Sequence, residues 1–192
     1  MKKILLLLFL GIQFGFAQTS VKQISLSDAA LQLTKDNVTY DPSYFSIDYP
    51  NGDVPSDKGV CTDVIIRAYR KLGIDLQEKV HIDMKSNFNV YPKLWGLKTT
   101  DKNIDHRRVP NLMTYFKRKG EEKLISKKAE DYVAGDIVCW SLGGATTHIG
   151  IVVNKKSKDG KRNLIVHNIG GGQVLQDCLF SFKIIGHYRY KI

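Results

Sequence analysis

Three residues of this chain have the types needed for nucleophilic chemistry: Cys61, His148 and His167. A cysteine attacks a carbonyl carbon well only as its thiolate. It needs a base to take its proton and a third polar group to hold that base in one tautomer and orientation. His148 opens the run His148-Ile149-Gly150-Ile151-Val152-Val153 and His167 closes Asn163-Leu164-Ile165-Val166-His167. If the charged connection Lys155 to Lys161 is a hairpin, the two runs are antiparallel neighbours and the imidazoles approach each other. Taken singly, each residue has an ordinary explanation: a small buried cysteine, a histidine ending a loop, and a core histidine bonded to a carbonyl.

The element that must carry Cys61 is Gly59-Val60-Cys61-Thr62-Asp63-Val64-Ile65-Ile66-Arg67-Ala68-Tyr69-Arg70-Lys71-Leu72-Gly73. Val64, Ile65, Ala68 and Leu72 fall at helical spacing, and Asp63, Arg67 and Lys71 form a second, wet stripe. Gly73 supplies a left-handed stop. A loop rich in Pro, Gly and Asp, Tyr49 to Gly59, precedes the helix and puts Cys61 in its first turn. Free backbone N–H groups and the helix dipole are expected to ease ionisation of the thiol there.

Around this element the first half of the chain reads as mainly helical. Ser27 is expected to cap a helix over Asp28 to Lys35, followed by an aromatic loop, Asn37 to Gly59, suited to wall a cleft. A short helix is expected over Val80 to Phe88. Pro110 and Gly120 bracket another, Asn111 to Lys119. Beyond Tyr132 short β-branched and aromatic runs take over: 136–140, 148–153, 163–167 and 184–190. Helices first and strands afterwards make an α+β arrangement.

Met1 to Ala17 has a basic start, an apolar stretch and a small-x-small site at Gly15-Phe16-Ala17, which is the pattern of a secretory signal. The expectation is a single domain over residues 18–192, exported to the periplasm or beyond, with no stable membrane span. The formal charge is +10, or +8 once the leader lysines Lys2 and Lys3 are gone. Such a surface suits anionic cell-wall material. Its basic residues are scattered and no nucleic-acid motif is present, so nucleic acid is not an expected partner. Three cysteines are an odd number for an exported chain; a Cys139–Cys178 disulfide that leaves Cys61 free is one arrangement.

The string Val60-Cys61-Thr62-Asp63-Val64, the long run Asn103-Ile104-Asp105-His106-Arg107-Arg108-Val109-Pro110-Asn111-Leu112, His148-Ile149-Gly150-Ile151-Val152, His167-Asn168-Ile169-Gly170 and Gly186-His187-Tyr188-Arg189-Tyr190 together resemble the exported bacterial family catalogued as domain of unknown function 1287. The likeness runs from about Asp41 to the C-terminus. The order of helix-borne cysteine, His-Ile-Gly-Ile-Val strand and Val-His-Asn strand also resembles the NlpC-like cell-wall peptidases, a branch of the papain-like cysteine peptidases. The resemblance implies a papain-like (NlpC-like) fold whose Cys-bearing helix packs on a C-terminal antiparallel sheet. It implies Cys61 as nucleophile, His148 as base and later acid, and His167, or in its place Asn168, as the orienting group. It implies amide hydrolysis through an acyl-enzyme, in peptidoglycan stem peptides or another peptide substrate, with no cofactor. Asp105, His106, Arg107 and Arg108 are then candidates for substrate binding, the arginines toward carboxylates. One departure is that NlpC-like enzymes carry Asp-Cys-Ser-Gly where this chain has Val60-Cys61-Thr62-Asp63, so substrate preference is not transferred.

Three rivals remain at this level. A zinc site from Cys61, His148 and His167 has acceptable ligand types but lacks any close-spaced ligand pair. A wall-binding or interaction module on the same fold keeps the basic surface without an ionised thiol. A secreted amidase effector shares the chemistry and differs only in target.

Overall fold

The computed structural model describes residues 24–190, so the expected signal segment lies outside the described residues. Helix α1 (Leu26–Leu33) begins at Ser25, whose hydroxyl accepts the Asp28 amide at 3.1 Å. Ser27, expected as the cap, lies one turn-step inside. Its buried hydroxyl instead accepts the Asn154 amide at 2.8 Å and ties the helix to the sheet. Two short parallel strands, β1 (Thr39–Tyr40) and β2 (Lys58–Gly59), close off the loop between them and deliver the chain into α2 (Cys61–Arg70). Gly73, at φ 77°, ends that turn of chain as expected.

The next helix, α3 (Leu76–Ser86), starts earlier than its periodicity suggested because Asp75 caps the Gln77 and Glu78 amides. A 3₁₀ turn, Asp105–Arg107, leads into α4 (Val109–Lys119), which has Pro110 in its first turn. The remainder is sheet: β3 (Glu121–Glu122), β4 (Ile137–Gly143), β5 (Thr146–Lys156), β6 (Asn163–His167), β7 (Val174–Gln176) and β8 (Lys183–Arg189). The strands pair antiparallel in the order β3-β8-β4-β5-β6-β7. The molecule therefore has the α+β arrangement expected from its sequence, a helical first half on an antiparallel sheet. Among the described residues no helix is long and apolar enough to cross a membrane.

Strand alternation sends side chains to two different cores. Cys139, Ile149, Ile151 and Val166 meet Val64, Ile65, Ala68, Leu112 and Phe116 of the helices. Val138, Trp140, Val152 and Ile165 face the other way and close on Tyr132, Cys178 and Leu179. Each aliphatic side chain fully removed from water contributes about 1.5–3 kcal/mol, so the helix face, with the larger cluster, holds α2 firmly. Cys139 and Cys178 lie in different cores, and all three cysteines are free. A disulfide between them is excluded by the sheet that separates them.

The expected wet stripe of α2 is a correction as well: Asp63 and Arg67 are buried, at 2% and 9% exposure. Burial holds because both are paired. Asp63 takes a two-point ion pair from Arg107 at 2.9 and 3.0 Å and accepts the Val60 amide at 2.7 Å. Arg67 binds Asp53 and donates to the Val54 and Pro55 carbonyls. Charged residues at helical spacing mark solvent only when no loop returns over them, and here residues 41–59 do.

Candidate active site

Cys61 is the first residue of α2. The turn before it is clamped on both sides. Asn168, the residue after β6, donates its side-chain amide to the Gly59 carbonyl at 3.2 Å, and the Thr62 hydroxyl donates to the Arg107 carbonyl at 3.1 Å. The last rung between β5 and β6 at this end is Ile151↔Val166. Beyond it, the Ile149 amide lies near enough to the Cys61 sulfur to favour its thiolate, so the thiol meets the sheet at the residue next to His148.

The histidines stand on the face away from α2. His148 is opposite Trp140 in the ladder and stacks on it at 5.6 Å. Its Nε2 meets Nδ1 of His167 at 2.8 Å. Gly150 makes this approach possible, because a Cβ there would come within 3.2 Å of the His167 Cβ and 2.7 Å of Ile165. The structure thus brings His148 and His167 into direct contact and sets the Cys61 sulfur against the following backbone amide. Asn168 goes elsewhere: its amide nitrogen holds Gly59 and its oxygen accepts the Gly170 amide, so His167 is the residue touching His148.

Electrostatically the site is neutral at rest. Burial pushes the Cys61 thiol up to about 12, against the pull of the Ile149, Thr62 and Cys61 amides, and the Asp63 carboxylate adds to the rise. The expectation of an easily ionised thiol is therefore overturned. The helix start that would favour a thiolate is out of water and already carries Asp63 as its counter-charge. Burial, with His167 adding, lowers His148 to about 3, and burial lowers His167 too. Thiol and imidazole are both uncharged over the physiological range.

The sulfur side opens on a groove of about 240 Å³ lined by Tyr40, Pro42, Cys61, Thr62, Trp95, Arg107, Arg108 and Thr147, among others. Tyr40 and Pro42 come from the aromatic loop expected to wall a cleft. Among the described residues no carboxylate lines it. Arg107 is committed to Asp63 and the Ser43 carbonyl, whereas Arg108 lies over the Trp95 ring at 4.5 Å with Asp105 no nearer than 4.0 Å. Asp105 and His106 are buried beneath, at 1% and 2% exposure, and do not reach the groove. Of the four residues considered for substrate contact, the structure brings the two arginines to the cleft and leaves the other pair in the support. A larger depression of about 730 Å³ lies toward the far end of α2, where its Arg67 and Arg70 are both taken by Asp53. Among the described residues no three His, Cys, Asp or Glu side chains converge as a metal site would require.

Two contacts of this site had no clear signal in the sequence. The Gln176 side-chain oxygen lies 2.9 Å from His167 Nε2, and the Cys178 sulfur lies 3.6 Å from the same nitrogen. Both come from the short strand after the Gly170-Gly171-Gly172 run and the turn that follows it.

Residues 27–190 match the family model described as "Domain of unknown function (DUF1287)". The chain belongs to the DUF1287 family. A relative is the protein named "Uncharacterized protein YijF" of Escherichia coli (strain K12). It is 48% identical over 167 residues, or 87% of this chain and 81% of that one. Among solved structures, a Staphylococcus aureus (subsp. aureus Mu50) protein described as similar to lipoprotein, NLP/P60 family, aligns at 16% identity with a TM-score of 0.44. That alignment covers 91% of this chain and 45% of the staphylococcal chain. For a DUF1287 member, then, chemistry has to be argued from the site itself.

Proposed function

We propose that this DUF1287 protein is an exported cysteine amide hydrolase, acting on peptide amides of the bacterial wall. The observation that carries the reading is the His148–His167 contact on the strand whose next residue, Ile149, lies by the thiol at the start of α2. His148 uses Nε2 on its neighbour and keeps Nδ1 as the nitrogen for a nucleophile's proton.

With thiol and imidazole both neutral, reaction starts by proton transfer rather than from a standing ion pair. The Cys61 proton has to reach His148 Nδ1, a contact that the resting structure does not make and that substrate binding has to bring about, as the sulfur bonds to the substrate carbonyl carbon. The developing oxyanion is served by backbone N–H groups at the start of α2. The Val60 amide is not one of them, since Asp63 already holds it, so the Cys61 amide is the donor at hand. The C–N bond then breaks, His148 returns its proton to the leaving amine, and a thioester remains. Water, giving a proton to His148, attacks the thioester; the acid leaves and the thiol is restored. Arg108 at the groove, and a surface rich in lysine and arginine, favour substrates bearing carboxylates such as peptidoglycan stems.

The buried, un-ionised thiol favours one other reading, a wall-binding module without turnover. Purified protein and its Cys61→Ala variant incubated with peptidoglycan sacculi separate the two. Soluble fragments seen by mass spectrometry with the parent and absent with the variant support the hydrolase. Equal sedimentation of both proteins with sacculi, without fragments from either, supports the binding module.

A further inference from the structure

The two histidines do not end the polar chain: His167 Nε2 continues to the amide oxygen of Gln176 at 2.9 Å. A carbonyl oxygen only accepts, so the proton of this contact belongs to His167 Nε2. A neutral imidazole has one N–H, which leaves His167 Nδ1 bare. The 2.8 Å contact to His148 then needs a proton on His148 Nε2, and this leaves His148 Nδ1 bare in turn. We propose that Gln176 is a positioning residue that sets the tautomer of both rings, so that His148 presents a lone pair on Nδ1; the catalytic consequence rests on the hydrolase reading above.

The surroundings leave this task to Gln176. Among the described residues no carboxylate is in hydrogen-bond contact with either ring: His148 faces Trp140, and His167 faces His148, Gln176 and the Cys178 thiol. Asp177, next in the chain, points its carboxylate at Arg162, at 2.6 and 2.7 Å. The Cys178 sulfur, at 3.6 Å, is a weak partner that does not compete in direction or strength with an amide oxygen. Gln176 is itself exposed, so a polar change there leaves the cores intact.

The direction of the chain makes an isosteric change informative. In Gln176→Glu the new carboxylate favours a second proton on His167. A doubly protonated His167 donates from Nδ1, so His148 Nε2 must accept and its own proton must move to Nδ1. The base is then in the wrong tautomer until pH is high enough to remove the extra proton. In Gln176→Leu the acceptor is gone and the two tautomers of His167 mix.

The experiment is ¹⁵N NMR of the histidine ring nitrogens in Cys61→Ala protein, alone and combined with Gln176→Glu, Gln176→Leu or Leu175→Glu. Leu175→Glu adds the same charge one residue away, and thermal melts check folding of each. The expected result is protonated Nε2 and bare Nδ1 on both rings in the parent, a proton transferred to His148 Nδ1 in Gln176→Glu, mixed His167 signals in Gln176→Leu, and no change in Leu175→Glu. On the Cys61-containing background, Gln176→Glu should lose roughly a hundredfold in kcat/KM at neutral pH, the lower end of what a positioned base contributes, and recover as pH rises. Identical ring signals in the parent and both Gln176 variants overturn the proposal. The expected signals without hydrolysis by any protein support the tautomer assignment and overturn the hydrolase reading instead.

Discussion

His148 on β5 and His187 on β8 are both buried, on the two strands that flank β4 and on the same face of the sheet, at 2% and 1% exposure, yet their surroundings differ in kind. His187 is closed. Its Nδ1 donates to the Leu124 carbonyl at 3.2 Å, its Nε2 meets Asp136 at 2.8 Å, and its ring stacks on Tyr132 at 4.3 Å. Asp136 is fully buried and further held by Arg189 at 2.6 and 3.0 Å. His148 has a neutral partner on one nitrogen, and the amide of the next residue lies near the Cys61 sulfur at the edge of a groove. A carboxylate beside a buried histidine makes a cross-link, while a neutral imidazole beside it makes a base with one nitrogen in hand.

The strongest way to break the contrast is to remove each histidine's role in turn. His148→Ala and Cys61→Ala should lower kcat/KM on a peptide amide by about 10³-fold or more, within the range of a lost base or nucleophile; Cys61→Ala should melt close to the parent, and His148→Ala should lose about 1–3 kcal/mol for the hydrogen bond it takes from buried His167. Asp136→Ala should do the opposite. Leaving His187 and Arg189 without their buried partner is expected to cost about 3–5 kcal/mol in urea unfolding, with turnover per folded molecule preserved. Lost activity in Asp136→Ala at full folding would mean that the closed network also shapes the site.

Acid tests the same distinction. His148 at about 3 and His106 at about 3 lie below their ordinary value of 6.5 because burial opposes their charge, and His167 shifts the same way. Unfolded chains bind these protons first, so stability present above pH 6.5 is lost as pH falls from there toward 3. Each such group adds about 1.4 kcal/mol per pH unit to the slope. Asp105, raised by burial to about 6, works in the reverse sense and gives back part of that slope below pH 6. Urea unfolding from pH 7 to 4 should show the loss, and His106→Gln should flatten it. Over the same range the Cys61 thiol stays protonated, so its alkylation by iodoacetamide should be slow at pH 7 and still rising at pH 9. A plateau near neutrality would show a thiolate–imidazolium pair in place of the neutral one.

How far the sequence reached depends on whether a feature is local. The α2 helix, its Gly73 stop and the hairpin that joins β5 to β6 follow from spacing and turn residues, and with them the meeting of His148 and His167. Burial of Asp63 and Arg67 does not, because it depends on partners in the 53–55 and 107 segments. Ionisation of Cys61 was misjudged for the same reason: helix position is written locally, whereas desolvation is set by the completed fold. Strand β7, only Val174–Gln176, is too short for alternation to be visible, and Gln176 was hidden with it.

The finest separation lies between adjacent residues, His167 and Asn168. Both are fully buried, one the last residue of β6 and the other the residue after it, but one touches His148 and the other holds the Gly59 carbonyl. His167→Ala removes the ring that orients the base and should cost about 10²-fold in kcat/KM with little change in KM, a transition-state loss. Asn168→Ala leaves that ring in place and releases the turn before Cys61. Losing one buried hydrogen bond and exposing its partner should cost about 1–3 kcal/mol in unfolding, and kcat/KM should fall less than in His167→Ala. If Asn168→Ala proves the more damaging to turnover, the placement of the thiol against Ile149, rather than the orientation of His148, is what limits the chemistry.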